Sequence, residues 1–304
     1  YRNDVTREAD VIEEILRVYG YNNIKFTEKL NASISANQLI EDYQIQNKIG
    51  NQLTALGFHE MMGNSLTSPK YIDLSKTLSH ENNIEMLNPL SNDLSVMRQS
   101  MLFNALEALS FNSNRKISDL KLFEFGKTYH QYDAGRQEPK HLSLLVSGLK
   151  GDKNWTLPSS KSTFFYFKGF VINVLERLGI TDYSENGTND ENFSEGLSFS
   201  KNGKLLVEFG TINKSITANF GIDAETFYAD FKWDDVLEEI ATDNFILKAI
   251  PKFPKVKRDL ALLIDENVTF DSLKKTAQQT EKKLLKNINL FDVYTGSKLP
   301  EGKK

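Results

Sequence analysis

Apolar positions near the start of the chain recur at three- and four-residue intervals. Val11, Ile12, Ile15, Leu16 and Tyr19 share one face of a predicted helix. Thr6 is placed to cap its start and Gly20 to close its end. The same period marks 38–56, stopped by Gly57, then 96–111, and 166–178, closed by Gly179. Elsewhere, alternating or continuous apolar runs take over. DLKLFEFGKTYHQ (119–131), HLSLLVSGL (141–149) and KLLVEFGTI (204–212) read as strands, the last preceded by the Asn202-Gly203 pair of a tight hairpin. ETFYADFKW (225–233) is a further strand, followed by a short helix at 234–240. Helices and strands alternate irregularly, with hairpin turns in place of regular crossovers. The pattern predicts an α+β fold, an antiparallel sheet flanked by helices, over a doubly wound parallel sheet.

Composition narrows the class. A chain of 304 residues, 39% hydrophobic and 26% charged, can bury a sizeable core and form two or more domains. No apolar run approaches the ~18 residues of a membrane span, and no signal peptide is visible. The absence of cysteine excludes disulfides, thiolate metal sites and a cysteine nucleophile within this sequence, and fits a reducing compartment. The start at Tyr1 and the stop at EGKK after strand-like sequence read as a piece of a longer chain. Charge is unevenly spread: from Pro251 onward twelve Lys and Arg face seven Asp and Glu, so this tail carries +5 while the whole chain carries -4. IPKFPKVKRD (250–259) brings two prolines and four basic residues, which predicts a boundary near 249–254. A basic tail on an acidic body suggests a polyanionic partner.

The candidate chemistry is sparse. Asp10, Glu13 and Glu14 emerge on one side of the first helix, and Asp4 just upstream can reach the same place. One reading is a solvated acidic face near the positive end of the helix dipole. The other is a Mg2+ site, because hard divalent cations take carboxylate oxygens and water and need no His or Cys. Enzyme motifs fail. Gly126-Lys127-Thr128 looks like the end of a phosphate loop, but Lys121 stands where such a loop needs its first glycine, so it reads as a strand end. His59, His80, His130 and His141 show no metal-ligand spacing and read as surface or loop residues; no Gly-x-Ser-x-Gly elbow occurs. The loop at 187–196 is explained by ordinary turn chemistry.

Three separated segments carry a family resemblance. RNDVTREADVIEEILRVYGYNNI (2–24) resembles the end of the B5 domain in the beta-subunit family of bacterial-type phenylalanine-tRNA ligases. NPLSNDLSVMRQSMLFNALEALSFNSNR (88–115), followed by KLFEFGKTY (121–129), is similar to the family's synthetase-like central domain. KFPKVKRDLALLIDENV (252–268) and LLKNINLFDVYTGSKLPEGKK (284–304) are similar to the first part of its anticodon-binding, ferredoxin-like module.

The resemblance implies an end of a B5 domain at 1–30, a noncatalytic class II synthetase-like domain at 31–249, and a partial ferredoxin-like module at 250–304. It implies that Asp4, Asp10, Glu13 and Glu14 bind Mg2+ at a site shared with an alpha subunit, that the assembly is a cytoplasmic alpha2beta2 heterotetramer, and that ATP is used by the assembled enzyme. No catalytic residue is expected here. Class II adenylation needs arginines on the ATP phosphates, and between residues 30 and 250 only Arg98, Arg115, Arg136 and Arg177 occur. Arg98 matches a family arginine and is expected in helix-start packing or an interface ion pair; the family's usual Pro-Gly after it is Phe103-Asn104 here. Lys252, Lys255, Lys257 and Arg258 are the candidate contacts to phenylalanine tRNA. An editing region is expected upstream of residue 1 in the family. Two other readings compete: a metal-dependent phosphoryl-transfer enzyme using the same four acids, and a stand-alone RNA-binding scaffold.

Overall fold

Most of the periodic segments become helices in the computed structural model, which describes residues 3–26, 29, 32, 41–151, 154–156, 158–242, 250–294, 296 and 299–304. Helix α1 (Glu8–Tyr19) is closed by Gly20, whose φ of 93° suits a residue without a Cβ and whose N–H donates to Leu16 O at 2.7 Å. Thr6 does not cap it. The cap position falls on Arg7, in extended backbone, and the Asp10 carboxylate accepts the backbone N–H groups of Thr6 and Arg7 at 3.1 and 2.9 Å. Helix α2 (Asp42–Ala55) supplies the later part of the expected 38–56 helix, whose positions 38–40 lie outside the described residues. Short strands β1 (His59–Glu60), β2 (Leu66–Thr67) and β3 (Val96–Met97) precede helix α3 (Leu102–Ser113).

The expected 96–111 helix therefore begins six residues late. Val96 and Met97 pair with Thr67 and Leu66 in a ladder, Arg98 Nε donates to Lys127 O at 2.9 Å, and Gln99 Nε2 donates to Ser79 O at 2.8 Å. A helix through this stretch would abandon those buried partners. Phe103 and Asn104 lie in the first turn of α3, where both are buried and Asn104 Nδ2 donates to Asn64 O at 3.2 Å.

The 119–131 run divides into β4 (Leu120–Lys127) and β5 (His130–Tyr132), because Thr128 turns its N–H to Pro139 O at 3.1 Å and the chain enters a hairpin with β6 (Gly135–Gln137). Then follow β7 (Lys140–Ser147), α4 (Phe164–Arg177), β8 (Ser184–Gly187), β9 (Phe193–Lys201), β10 (Lys204–Ile212), α5 (Lys214–Thr217), β11 (Thr226–Lys232) and α6 (Trp233–Thr242). Asn202 and Gly203, at φ 53° and 80°, join β9 to β10 through the tight turn their identities predict.

One seven-stranded sheet, ordered β1-β4-β7-β11-β10-β9-β8, organises this part of the chain. It is antiparallel throughout except for the parallel β1–β4 pair at one edge. On one face Leu142, Leu144, Val146, Phe227, Ala229 and Phe231 pack under α2, α4 and α6. The two-residue period sends the intervening side chains to the other face. There Leu120, Leu122, Leu145 and Tyr228 pack under α3, while Glu124, His141, Ser143, Asp230 and Lys232 occupy the other end of the same strands. The second face is thus apolar at one end and polar at the other.

The chain separates into two compact units, Tyr1–Phe245 and Ile246–Lys304; Ala249, at the expected boundary, lies outside the described residues. The second unit contains helix α7 (Phe270–Thr280), capped by the Thr269 hydroxyl, which accepts from Ser272 N–H at 3.3 Å. Backbone bonds from Ile264 N–H to Lys304 O and from Lys304 N–H to Ile264 O, at 3.1 and 2.9 Å, join the stretch before α7 to the last residue. None of the described residues in 250–304 is buried.

Candidate functional site

The polar end of the sheet's second face holds a connected set of titratable groups. His141 Nδ1 donates to Asp230 Oδ1 at 2.6 Å, and Lys232 Nζ holds the other carboxylate oxygen at 2.6 Å. Thr128 bridges the two histidines, its hydroxyl 3.0 Å from His141 Nε2 and 3.0 Å from His130 Nε2. With the Asp230 carboxylate accepting from His141, the Thr128 hydroxyl can donate to one of the two histidine Nε2 atoms and accept from the other. These residues line a cleft of about 590 Å3 whose apolar wall includes Leu78, Leu102, Phe193 and Tyr228.

Burial alone would push the Asp230 carboxyl up, but Lys232 and His141 outweigh it and hold it well below the usual carboxylate range. For Lys232, burial pulls the ammonium down and Asp230 overrides this, helped by Glu208 and Asp190, so its proton is held more tightly than usual. His130 is pushed down by burial, then by the charges of His141 and Lys232. Because the folded-state pKa of Asp230 is depressed, its stabilisation is fully present above the ordinary carboxylate value of about 4 and is lost as pH falls below that. Asp230→Asn is therefore expected to lower stability at neutral pH by a gap that stays level down to about pH 5 and narrows below about pH 4. Urea unfolding at several pH values reads this; a gap that persists unchanged in acid would assign the loss to packing.

Next in the chain to Gln99 of the cleft lining, Arg98 forms a buried ion pair. Arg98 Nη1 and Glu124 Oε1 are 2.9 Å apart, with both side chains 3% exposed. Glu124 Oε1 also accepts Gly63 N–H at 3.1 Å, while Glu124 Oε2 has no partner among the described residues. Gly126 makes room for this pair: a Cβ there would overlap Arg98 Nη2 and the Met101 methyl. Gly126-Lys127-Thr128 is a strand end, as its sequence predicts, and its glycine admits an arginine rather than a phosphate.

The residues singled out by sequence are placed differently. Asp10 pairs with Arg7, Oδ1 to Nη2 at 3.1 Å, and the Arg7 side chain, then the backbone N–H groups of Arg7 and Thr6, hold its carboxyl below the usual range. Glu14 pairs with Arg17 at 3.3 Å, while Asp4 and Glu13 are exposed. Among the described residues no group of three or more His, Cys, Asp or Glu is arranged to hold a metal ion, so the four acids do not form a ready-made ligand set in this chain. None of the α1 residues is buried, and Val18 on its apolar side is 92% exposed. Lys252, Lys255, Lys257 and Arg258 all lie exposed within one stretch, interleaved with exposed Phe253 and Val256.

The cleft residues were not singled out as a group. His141, read as a surface or loop residue, is buried at 6% exposure inside β7. The available signal was the recurrence of His141, Ser143, Asp230 and Lys232 at every second position of otherwise apolar strands. Among the described residues no helix is long and apolar enough to cross a membrane.

Residues 26–233 match the family model described as the phenylalanyl tRNA synthetase beta chain CLM domain, and residues 251–304 match the ferredoxin-fold anticodon binding domain. The chain is 42% identical to the phenylalanine-tRNA ligase beta subunit of Bacteroides thetaiotaomicron, 38% to that of Porphyromonas gingivalis and 33% to that of Clostridium tetani, in each case over 100% of this chain. It spans 39% of the length of the first two relatives and 38% of the third. Among solved structures, pyrrolysyl-tRNA synthetase from Desulfitobacterium hafniense superimposes with a TM-score of 0.53 at 14% identity, covering 79% of this chain and 82% of that one. That likeness places the larger unit in the class II synthetase-like fold.

Proposed function

Because the chain belongs to the phenylalanine-tRNA ligase beta-subunit family, we propose that it is a noncatalytic part of that enzyme, serving the ATP-dependent joining of phenylalanine to its tRNA in the cytoplasm. It does so by assembling with an alpha subunit as an alpha2beta2 heterotetramer and by contacting tRNA through its basic C-terminal unit. The observation that carries the noncatalytic reading is the charge of the cleft. Among the described residues its lining contains no arginine, and the two lysines there are committed to ion pairs, Lys232 with Asp230 and Lys140 with Asp42, both at 2.6 Å. A nucleoside triphosphate entering it would meet Asp190, Glu208, Asp234 and Asp235 instead of cations. Adenylation therefore falls to the alpha subunit.

The four acids of the N-terminal segment fit Mg2+ by donor type, since carboxylate oxygens are its preferred ligands. Asp4, Asp10, Glu13 and Glu14 would hold the ion only after Asp10 leaves Arg7 and an alpha-subunit surface covers α1. The bound cation would neutralise carboxylates that association desolvates.

Mixing the chain with the family's alpha subunit tests both statements. Phenylalanine-dependent pyrophosphate exchange is expected from the mixture and not from the chain alone. The variant Asp4→Asn, Asp10→Asn, Glu13→Gln, Glu14→Gln is expected to weaken Mg2+-dependent assembly about tenfold or more. Exchange by the pure chain would overturn the noncatalytic reading. Unchanged assembly and Mg2+ dependence in the variant would make the acids a solvated helix face.

A further inference from the structure

We propose that the cleft beside Asp230 is a binding site for a small organic amine with a flat apolar body. Binding there requires neither the alpha subunit nor tRNA. The volume, about 590 Å3, falls in the range of small-molecule sites. Its lining combines two kinds of chemistry. Leu78, Leu102 and Phe193 line an apolar part, and at the rim the rings of His130 and Tyr132 stack at 5.7 Å with planes 8° apart. A flat hydrocarbon body can lie against such surfaces.

The acidic part of the lining is under-neutralised. Glu208 Oε1 accepts the Thr188 hydroxyl at 2.6 Å and Asp190 Oδ1 accepts Asn192 N–H at 2.9 Å, but neither carboxylate has an ion-pair partner among the described residues. Lys232 is the nearby cation, and Asp230 already holds it at 2.6 Å. Asp234 and Asp235 add to the negative potential. A charge of this sign in a concave, partly apolar site attracts cations and repels anions.

A second observation indicates the donor the site lacks. Asn192 lines the cleft at 8% exposure; its Nδ2 donates to Thr77 Oγ1 at 3.2 Å, yet its Oδ1 has no partner among the described residues. A buried unpaired carbonyl oxygen calls for an N–H or O–H donor. A metal ion fits less well, because among the described residues no three His, Cys, Asp or Glu groups converge at ligating distance. A primary ammonium has three donors and spans a wider separation, so it can serve Glu208, Asp190 and Asn192 in turn.

Titration calorimetry of the chain with 2-phenylethylamine and, separately, 3-phenylpropionate tests the charge rule on one ring system. Saturable binding of the amine is expected, with the carboxylate at least about tenfold weaker. Amide chemical-shift changes should concentrate around Thr128, Asn192 and Asp230. Glu208→Gln with Asp190→Asn is expected to weaken the amine about tenfold or more, and Tyr132→Ala, a rim change that leaves the strands intact, to weaken it severalfold. If the double variant does not fold, the Tyr132→Ala variant and the shift map decide. No saturable heat with the amine, equal binding of the carboxylate, or shifts mapping elsewhere would each overturn the site.

Discussion

Arg98→Ala is expected to lower the unfolding free energy of the larger unit by about 3–5 kcal/mol, the cost of leaving one buried charge without its partner. Arg98 and Glu124 lie 2.9 Å apart, and each side chain is 3% exposed, so water cannot take the place of the lost guanidinium. Glu124 is already short of one hydrogen bond at Oε2, which makes its remaining partner harder to lose. The double variant Arg98→Met, Glu124→Leu removes both charges and roughly preserves volume. It is expected to recover most of the loss, because apolar replacement of a buried pair is often neutral or better. About 1 kcal/mol should remain missing, since Lys127 O and Gly63 N–H both lose a partner. Urea midpoints followed by Trp233, which is fully buried in this unit, give the comparison. Equal losses in Arg98→Ala and the double variant would show that packing, not the stranded charge, sets the cost.

This pair also shows where sequence reading stops. Arg98 was legible as unusual, but the helical period over 96–111 hid its role. Its partners are 26 and 29 residues away, at Glu124 and Lys127, and long-range hydrogen bonds outweigh a local period when the side chains are buried. Where local and distant forces agreed, prediction and structure coincide. The apolar runs at 204–212 and 225–233 form adjacent strands β10 and β11, and Asn202-Gly203 makes the hairpin that its φ preferences dictate. At the N-terminus the cap falls on Arg7, one residue after Thr6, and the Asp10 carboxylate reaches back to the N–H groups of Thr6 and Arg7.

The cleft was half legible. Alternation in HLSLLVS and TFYADFK places His141 with Ser143, and Tyr228 with Asp230, on common faces. The register that sets Asp230 opposite Ser143 and Lys232 opposite His141 joins strands about eighty residues apart. Spacing along the chain cannot reveal that contact. The intervals between the histidines along the chain carry no sign of a network assembled across strands. The family resemblance carried the order of the units and their kinship, not these distances.

For the second unit, the charge reversal Lys255→Glu, Lys257→Glu, Arg258→Glu is expected to weaken binding of phenylalanine tRNA by on the order of a hundredfold at moderate salt. It should also flatten the log–log salt dependence by about two units, because each lost phosphate contact releases about 0.7–0.9 fewer counterions. All three side chains are exposed, so the substitutions should barely change the stability of the unit. That separates loss of contact from loss of fold. Phe253, exposed between the basic positions, supplies the contrasting variant. If it stacks on an unpaired base, Phe253→Ala lowers affinity without changing the salt slope, because stacking releases no counterions. Filter binding across a salt series measures both quantities in one experiment. A triple variant with the original slope would place the RNA-facing surface away from 252–258, and a Phe253→Ala slope change would make the ring a support for the lysines instead of a base platform.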